Sequence, residues 1–279
     1  DESAEVYPYT FAFEEFWYED AVALEDTLPC KAALLMEAGS GRVLFAQNET
    51  AKLPIASVTK IMSTLLVMEA IDSGKIRLTD MVTVGEEAAH MGGSQVYLEV
   101  GEQMPVSDML KALVVVSAND ATVAMAEHLA GSQSSFVSQM NARAAELGMS
   151  ETHFANCHGL NEEGHYSCAR DVAIMTRELL KHPLILEYTQ IWMDTIRNGA
   201  FGLANTNKLI RFYNGANGMK TGFTDTAKYC LSGTAKRDGM QLIAVIIGAD
   251  TSEIRFASAK KLLDFGFANY AVKIPERIE

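Results

Sequence analysis

Strand patterns at both ends of the 279-residue chain, with helical patterns between them, constrain its fold most strongly. Apolar runs at 33–36 and 43–45 flank the turn Gly39-Ser40-Gly41, which is typical of a β-hairpin. Three more strands are predicted near the other end: 218–223, 228–236 and 241–249. Asp238-Gly239 joins the last two as a hairpin turn. This arrangement favours a mixed α/β (α+β) fold in which one antiparallel sheet is formed by both chain ends.

Helical patterns fill the middle of the chain. A long helix is predicted from about Ser57 to Gly74, because its apolar side chains recur on one side. From about 85 to 160 the pattern is mostly helical, with Gly131 and Gly148 each closing a helix. Further helices are predicted at 170–181 and 253–267. We therefore expect helices to flank the sheet and an all-helical subdomain to be inserted at about 85–160.

The composition excludes several classes of partner. The formal net charge is −13 at pH 7, and a negative field of this size repels nucleic acid and anionic membrane surfaces. No apolar run reaches the roughly 18 residues that cross a bilayer. The chain has no G-x-S-x-G, G-x-G-x-x-G or Walker A segment, and no cofactor or metal ion is implied.

Residues 1–29 are acidic and aromatic and contain no lysine or arginine. Within them, Tyr7, Tyr9, Phe11 and Phe13 alternate with the period of a strand. Two interpretations follow. The segment packs on the body of the protein, or it is a partner-binding or removable leader.

Four cysteines, Cys30, Cys157, Cys168 and Cys230, match no zinc-site spacing. In one interpretation they are buried or incidental thiols. In the other, Cys157 and Cys168 form a disulfide, because both lie in one loop-like stretch. The pattern leaves both open.

A serine and a lysine three residues apart open the first long helix, as Ser57-Val58-Thr59-Lys60. Residues at this spacing share a helix face, so Lys60 Nζ can lie beside Ser57 Oγ. A lysine whose pKa is lowered by burial can act as the base that activates a serine nucleophile. The pattern alone is weak, since Ser258-Ala259-Lys260-Lys261 repeats it. An N-cap serine beside a solvated lysine is the simpler interpretation of a single match.

Two further motifs change this assessment. Ser117-Ala118-Asn119 lies between an apolar run and a predicted helix start, where its side chains project from a loop; a helix cap is the alternative. Lys220-Thr221-Gly222 lies on a predicted strand, where Gly222 would let a ligand approach the backbone closely. For this motif the alternative is an exposed strand lysine followed by a turn.

S-x-x-K, S-x-N and K-T-G occur in this order with gaps of 60 and 103 residues, and together they resemble the signature of penicillin-binding proteins and serine β-lactamases. Longer segments resemble the low-molecular-mass D-Ala-D-Ala carboxypeptidases: 53–62, 116–121, 152–160, 169–171 and 218–222. The resemblance covers about residues 28–268. It implies an exported, extracytoplasmic enzyme of cell-wall peptidoglycan.

The resemblance also implies catalytic roles. Ser57 attacks the carbonyl of the penultimate D-alanine of a stem peptide, and Lys60 takes its proton. Ser117 and Lys220 pass a proton to the leaving D-alanine. Asn119 holds the substrate amide and helps to fix Lys60.

Three more residues are implied as substrate-binding. Thr221 binds the terminal carboxylate, Gly222 lies beside the substrate, and the backbone N–H groups of Phe223 and Ser57 form the oxyanion hole. Water then hydrolyses the acyl-enzyme. A β-lactam imitates the D-Ala-D-Ala end of the peptide and leaves Ser57 acylated.

The chain departs from the family pattern in places. Phe223 stands where some relatives carry histidine. Many relatives continue beyond the equivalent of residue 279 into a β-rich domain and a membrane anchor, so any anchor is expected outside this chain. The expected domains are an N-terminal segment at 1–29, a catalytic domain at 30–270, and the start of a truncated or absent C-terminal domain at 271–279.

Two alternatives stay open. A serine β-lactamase shares the three motifs, but the E-x-x-L-N segment of class A enzymes does not follow the second motif; Glu162 and Glu163 come after Leu160-Asn161 instead. A penicillin-sensing or peptidoglycan-binding module would carry an inactive version of the site. His153 and His158 are interpreted as hydrogen-bonding residues that hold a loop. The sequence does not distinguish water from another acyl acceptor.

Overall fold

The predicted strands and helices occur in the predicted order along the chain, with further short elements between them. The computed structural model describes residues 12–15, 24 and 27–273. The strands are β1 (Ala12–Glu15), β2 (Ala32–Glu37), β3 (Val43–Gln47), β4 (Met81–Thr83), β5 (Gln103–Pro105), β6 (Met193–Ile196), β7 (Phe201–Ala204), β8 (Ala216–Thr224), β9 (Lys228–Arg237), β10 (Met240–Ala249) and β11 (Tyr270–Lys273). The helices are α1 (Lys60–Asp72), α2 (Glu86–Ala89), α3 (Val106–Val115), α4 (Asn119–Ala130), α5 (Gln133–Glu146), α6 (Ala169–Leu179), α7 (Leu184–Thr189), α8 (Leu209–Phe212) and α9 (Ser252–Asn269). A 3-10 turn, Ala56–Thr59, directly precedes α1.

The central sheet is antiparallel and takes its strands from both ends of the chain, in the order β3-β2-β10-β9-β8. In its middle, β2 pairs with β10, with Leu34 opposite Val245. Both strands are buried along nearly their whole length. Such continuous apolar runs are typical of strands that are covered on both faces. The predicted fold class, with one sheet made by the two chain ends, is confirmed.

Helices cover both faces of this sheet. Alternate side chains of a strand point to opposite faces, and in β2 Leu34 belongs to the core that contains Ile61 of α1. Its neighbour Leu35 belongs to the second core, together with Leu262 of α9. Gly266 lets α9 approach closely, since a Cβ there would lie 2.5 Å from a methyl group of Leu242. Within the described residues, no helix is both long and apolar enough to cross a bilayer.

Helices α2 to α5 lie where helical structure is predicted between 85 and 160. Gly131 and Gly148 follow α4 and α5 with φ angles of 82° and 73°, the left-handed conformation that ends a helix. The antiparallel pair β4 and β5 precedes and interrupts these helices. Each of the two strands has three residues, which is too short for a periodic pattern to reveal.

The described parts of the two chain ends pair with each other. β1 and β11 are antiparallel, with Ala12 opposite Lys273. Part of the acidic, aromatic N-terminal segment therefore lies along the last strand. Tyr7, Tyr9 and Phe11 lie outside the described residues.

All four cysteines are free thiols. Cys157 Sγ lies 3.4 Å from Gln133 Oε1, and Cys168 Sγ accepts a hydrogen bond from Asp171 N at the start of α6. Burial raises the pKa of Cys157 to about 12 and that of Cys168 to about 11. Of the two interpretations, the structure has the thiols and not the disulfide.

We expect Leu262→Ala to lower the free energy of unfolding by about 2–5 kcal/mol, because it leaves a cavity between α9 and the sheet. Lys260→Ala on the same helix removes a partly exposed side chain and should change that free energy by less than about 0.5 kcal/mol. Urea unfolding of the two variants measures both values. A small effect of Leu262→Ala would contradict this packing.

Candidate active site

Ser57 lies in the 3-10 turn at the start of α1 and is half-buried. Val58 N donates a hydrogen bond to Ile55 O at 3.2 Å, which closes the turn. The preceding residue, Ala56, has a φ of 48°, a left-handed conformation that is uncommon for a residue with a Cβ. The long helix predicted from about Ser57 is therefore α-helical only from Lys60 onward.

Strand β8 approaches this turn at Gly222. A Cβ on Gly222 would lie 2.8 Å from Ile55 O and 3.0 Å from Ser57 N. The room beside Gly222, which the sequence pattern assigns to a ligand, is thus filled by the backbone of the turn. A substrate contact at Gly222 stays a prediction. In the structure, the missing side chain of Gly222 allows the turn that carries Ser57 to pack against β8.

The Lys60 amine is fully buried and has three hydrogen-bond partners. Nζ lies 2.9 Å from Ser57 Oγ, 2.7 Å from Asn119 Oδ1 and 2.7 Å from His158 O. Burial lowers the pKa of Lys60 to about 7. The amide and carbonyl oxygens can only accept hydrogen bonds, so the neutral amine donates to both of them. Its lone pair is then left for the Ser57 hydroxyl.

Ser117 and Asn119 lie at the junction of α3 and α4. Ser117 is buried with a φ of 64°, and its Oγ has no hydrogen-bond partner in the part of the chain that the structure describes. Buried hydroxyl groups without a partner are uncommon and suggest a functional role. Asn119 points Oδ1 at Lys60, while its Nδ2 donates to Gly92 O at 2.8 Å.

The loop at 92–98 is held against the start of α4. Asn119 N donates to Ser94 O at 2.7 Å. The buried carboxylate of Asp120 accepts hydrogen bonds from Val96 N and Leu98 N, each at 3.1 Å. The sequence analysis assigns no role to Asp120, because partners more than 20 residues away leave no local pattern.

Lys220 lies on β8, at the edge of the sheet, and is buried. Its Nζ donates to Thr221 O at 3.0 Å. Burial lowers the pKa of Lys220 well below its ordinary value, and the nearby charges of Lys60 and Arg255 lower it further. The alternative of an exposed strand lysine is therefore wrong.

Thr221 is the middle residue of the third motif, and Phe223 directly follows the motif. Thr221 is buried, and its Oγ1 lies 2.6 Å from Oγ1 of Thr206, a residue that sequence reasoning misses. Phe223 is 48% exposed, and its ring packs at a tilt against that of Tyr229, with the ring centroids 4.4 Å apart. The aromatic ring thus lies at the surface directly beside the motif.

A loop from 152 to 167 closes against the serine turn. Gly159 has a φ of 94°, and a Cβ there would lie 2.0 Å from Ala56 O, so only glycine fits. Single β-bridges tie the end of the loop to the rest of the fold and close it on itself: Leu53 to Ser167, and His153 to Tyr166. The close approach of Gly159 to Ala56 brings the neighbouring carbonyl of His158 to the Lys60 amine.

Three histidines hold this loop. His153 Nδ1 bonds to Gly164 O at 2.7 Å, and His158 Nδ1 accepts from Leu160 N at 3.2 Å, as predicted for both. His165, which is not predicted, accepts from Ala155 N through Nδ1. Its Nε2 therefore carries the ring proton and donates to Thr59 Oγ1 at 2.7 Å.

The predicted catalytic residues come from four separate elements. Direct hydrogen bonds join Ser57, Lys60 and Asn119. Lys220 is near enough for the charge on Lys60 to lower its pKa, and Ser117 stands two residues from Asn119. The chemical role of each residue stays a prediction. As a constellation, they can activate a serine hydroxyl with a neutral lysine.

Comparisons with known proteins identify relatives of the whole described core. The family model of D-alanyl-D-alanine carboxypeptidases, peptidase family S11, matches residues 19–251. The D-alanyl-D-alanine carboxypeptidase DacF of Bacillus subtilis is 48% identical over 265 residues, which are 94% of this chain and 68% of DacF. DacC of Escherichia coli is 38% identical over 274 residues, with coverage of 96% and 68%.

Solved structures agree with these matches. Penicillin-binding protein 5 of Haemophilus influenzae superposes with a TM-score of 0.83 at 36% identity, covering 87% of this chain and 72% of that protein. Penicillin-binding protein D2 of Listeria monocytogenes, in its ampicillin-bound form, gives a TM-score of 0.79 at 34% identity, covering 86% and 98%. At 36% and 34% identity, the similarity to these two proteins includes their sequences as well as their fold.

We expect acid to destabilise the protein partly through His165. Burial lowers the pKa of His165 to about 4, so below pH 6.5 the unfolded chain binds a proton that the folded protein does not. Stability is therefore lost as the pH falls from about 6.5 to about 4. The His165 ring alone should lower the free energy of unfolding by about 3 kcal/mol over this pH range.

Urea unfolding at pH 7 and pH 4 tests this expectation. His165→Gln keeps a donor for Thr59 but does not titrate, so it should lose less stability between the two pH values than the unmodified protein. His90→Gln changes an exposed histidine and serves as the control for replacing a histidine by glutamine. An equal acid loss in all three proteins would contradict the expectation.

Proposed function

Because the chain belongs to the D-alanyl-D-alanine carboxypeptidase family of serine peptidases, we propose that it removes the terminal D-alanine from peptidoglycan stem pentapeptides through an acyl-enzyme on Ser57. The observation that carries this proposal is the buried Lys60 amine beside Ser57 Oγ. With a pKa of about 7, a substantial fraction of the amine is neutral near pH 7 and can accept the serine proton.

In the acylation step, Ser57 Oγ attacks the carbonyl carbon of the penultimate D-alanine while its proton moves to Lys60 Nζ. The separation of 2.9 Å between the two atoms is within hydrogen-bond reach, as proton transfer requires. Asn119 Oδ1 and His158 O fix the amine on its other sides. The lone pair of the neutral amine then faces the hydroxyl from which it takes the proton.

The negative charge that develops on the substrate oxygen is proposed to be bound by the backbone N–H groups of Ser57 and Phe223. The close contact at Gly222 supports this role, since it places the strand residue before Phe223 against Ser57 N. Removing one donor from such an oxyanion hole typically lowers the rate about 10²- to 10³-fold. Because both donors are backbone groups, the aromatic ring of Phe223 does not alter them.

Breakdown of the tetrahedral intermediate requires a proton on the leaving D-alanine nitrogen. We assign its transfer to Ser117 and Lys220, which carry the proton that Lys60 received. The buried Ser117 Oγ has no other partner among the described residues, and burial together with nearby positive charge favours the neutral amine of Lys220. Thr221 is assigned to the terminal carboxylate, and water completes hydrolysis of the acyl-enzyme.

The substrate class also indicates the compartment in which the reaction takes place. Peptidoglycan lies outside the cytoplasmic membrane, which implies an extracytoplasmic enzyme and therefore export of the chain. β-Lactam antibiotics are proposed as a second class of ligand that acylates Ser57, and the ampicillin-bound structure of penicillin-binding protein D2 supports this. The catalytic domain is proposed to span residues 30–270.

We expect Ser57→Ala to abolish both covalent labelling by a fluorescent penicillin and release of D-alanine from a stem pentapeptide, because the attacking atom is lost. The chain contains its own matched control, since Ser258 opens a second S-x-x-K segment but lies buried in α9. Ser258→Ala should be labelled as the unmodified protein is. Mass spectrometry of the labelled peptide identifies the acylated residue.

Other results would contradict the proposal in distinguishable ways. Labelling that persists in Ser57→Ala excludes Ser57 as the nucleophile. Rapid destruction of the antibiotic indicates a β-lactamase. Stable labelling without release of D-alanine indicates a penicillin-sensing module.

The rate of penicillin acylation should fall about tenfold per pH unit below pH 7, because protonated Lys60 cannot accept the serine proton. Burial holds the pKa of Lys60 near this value, so the rate should rise through pH 7 and then level off. Lys60→Arg, whose guanidinium stays protonated, should show no acylation between pH 5 and pH 9. Stopped-flow measurement of acylation against pH tests this expectation, and a flat profile between pH 5 and pH 8 would contradict it.

A further inference from the structure

A short segment follows β7 at residues 205–208 and hydrogen-bonds to the end of α3, just before the second motif, and to β8, which carries the third motif. We call it the bridging segment. It alternates between exposed and buried residues, with Asn205 and Asn207 buried and Thr206 exposed between them. The two asparagines are buried, whereas Thr206 between them is partly open to solvent and its hydroxyl reaches Thr221.

The asparagines fasten the bridging segment on both sides of the threonine. Asn205 Nδ2 donates to Thr189 O at 3.1 Å and to Ile191 O at 2.7 Å. Asn207 Nδ2 donates to Gly218 O at 2.8 Å, two residues before Lys220 on β8. The backbone around Thr206 is thereby fixed to the strand of the third motif.

Thr206 itself contacts the third motif and the end of α3, just before the second motif. Its backbone N–H donates to Val115 O at 3.2 Å, two residues before Ser117. Its Oγ1 lies 2.6 Å from Oγ1 of Thr221. At this distance the two hydroxyl groups share a short hydrogen bond, in which one of them donates and the other accepts.

Two hydroxyl groups have two protons, and their mutual bond uses one of them. If Thr206 donates, the Thr221 proton is free to point at a ligand. An anionic ligand favours the arrangement in which Thr206 donates to Thr221 and Thr221 donates to the ligand. A hydroxyl that accepts one hydrogen bond is polarised and donates more strongly to a negative charge. The direction of the shared bond therefore decides how well Thr221 can bind a carboxylate.

We propose that Thr206 is a positioning residue that donates its hydroxyl proton to Thr221 Oγ1 and so directs the Thr221 proton at the terminal carboxylate of the peptide or β-lactam. The inference rests on the proposed function, in which Thr221 binds that carboxylate. Thr206 acts through Thr221. Its loss should weaken recognition of the carboxylate and leave the chemistry at Ser57 intact.

Acylation of Ser57 by benzylpenicillin and by its methyl ester provides the test, since the ester lacks the carboxylate charge. Thr206→Val keeps the shape of the side chain without its hydroxyl. The variant should react about tenfold more slowly with the acid and within about twofold of the unmodified protein with the ester. Thr206→Ser restores the hydroxyl and should restore the rate with the acid. Thr195→Val, at an exposed threonine of β6, is the matched control and should react as the unmodified protein does.

The outcomes separate this inference from the function on which it rests. An equal loss of rate with acid and ester would assign Thr206 a structural role and overturn the inference. An unchanged rate of Thr206→Val with the acid would also overturn it. In both cases the unmodified protein still forms an acyl-enzyme on Ser57, so the proposed function stands. If the unmodified protein forms no acyl-enzyme, the proposed function fails and the inference fails with it.

Discussion

Burial of the Lys60 amine is the constraint on which the rest of the site depends. An ammonium ion that is removed from water without partners is costly, so the fold must either surround it with acceptors or lower its pKa, and here it does both. The acceptors come from the serine turn, from α4 and from the loop at 152–167. A displacement of any one of these elements leaves a polar group unsatisfied. The site is therefore assembled by the same contacts that stabilise the fold around it.

Close backbone approach makes this convergence possible. At Gly159 the loop touches the backbone of Ala56, and at Gly222 strand β8 touches the backbone beside Ser57. A side chain at either position would push the serine turn away from its neighbours by more than the tolerance of a hydrogen bond. The strained φ of Ala56 lies between these two contacts and is held in place by them.

The parts of the molecule that depend on local pattern were predictable from the sequence. Apolar runs and turn residues predict β2, β3, β9 and β10, and motif order predicts Ser57, Lys60 and Lys220 as site residues. What sequence reasoning misses depends on contacts between distant residues. Asp120 belongs to none of the three motifs, yet its carboxylate accepts hydrogen bonds from a loop more than 20 residues away. Thr206 belongs to no motif, and only the fold brings its hydroxyl to Thr221.

Two buried lysines in one site also limit the protonation states that the site can adopt. Each positive charge raises the free energy of the other, and burial already disfavours both. Lys60 has the carboxylate of Asp120 nearby, whereas Lys220 has the positive charges of Lys60 and Arg255 nearby. A single proton is therefore more stable on Lys60 than on Lys220. In the proposed reaction the serine proton consequently rests on Lys60 after acylation begins. The neutral amine of Lys220, with the Ser117 hydroxyl that has no partner among the described residues, is then free to carry that proton to the leaving group.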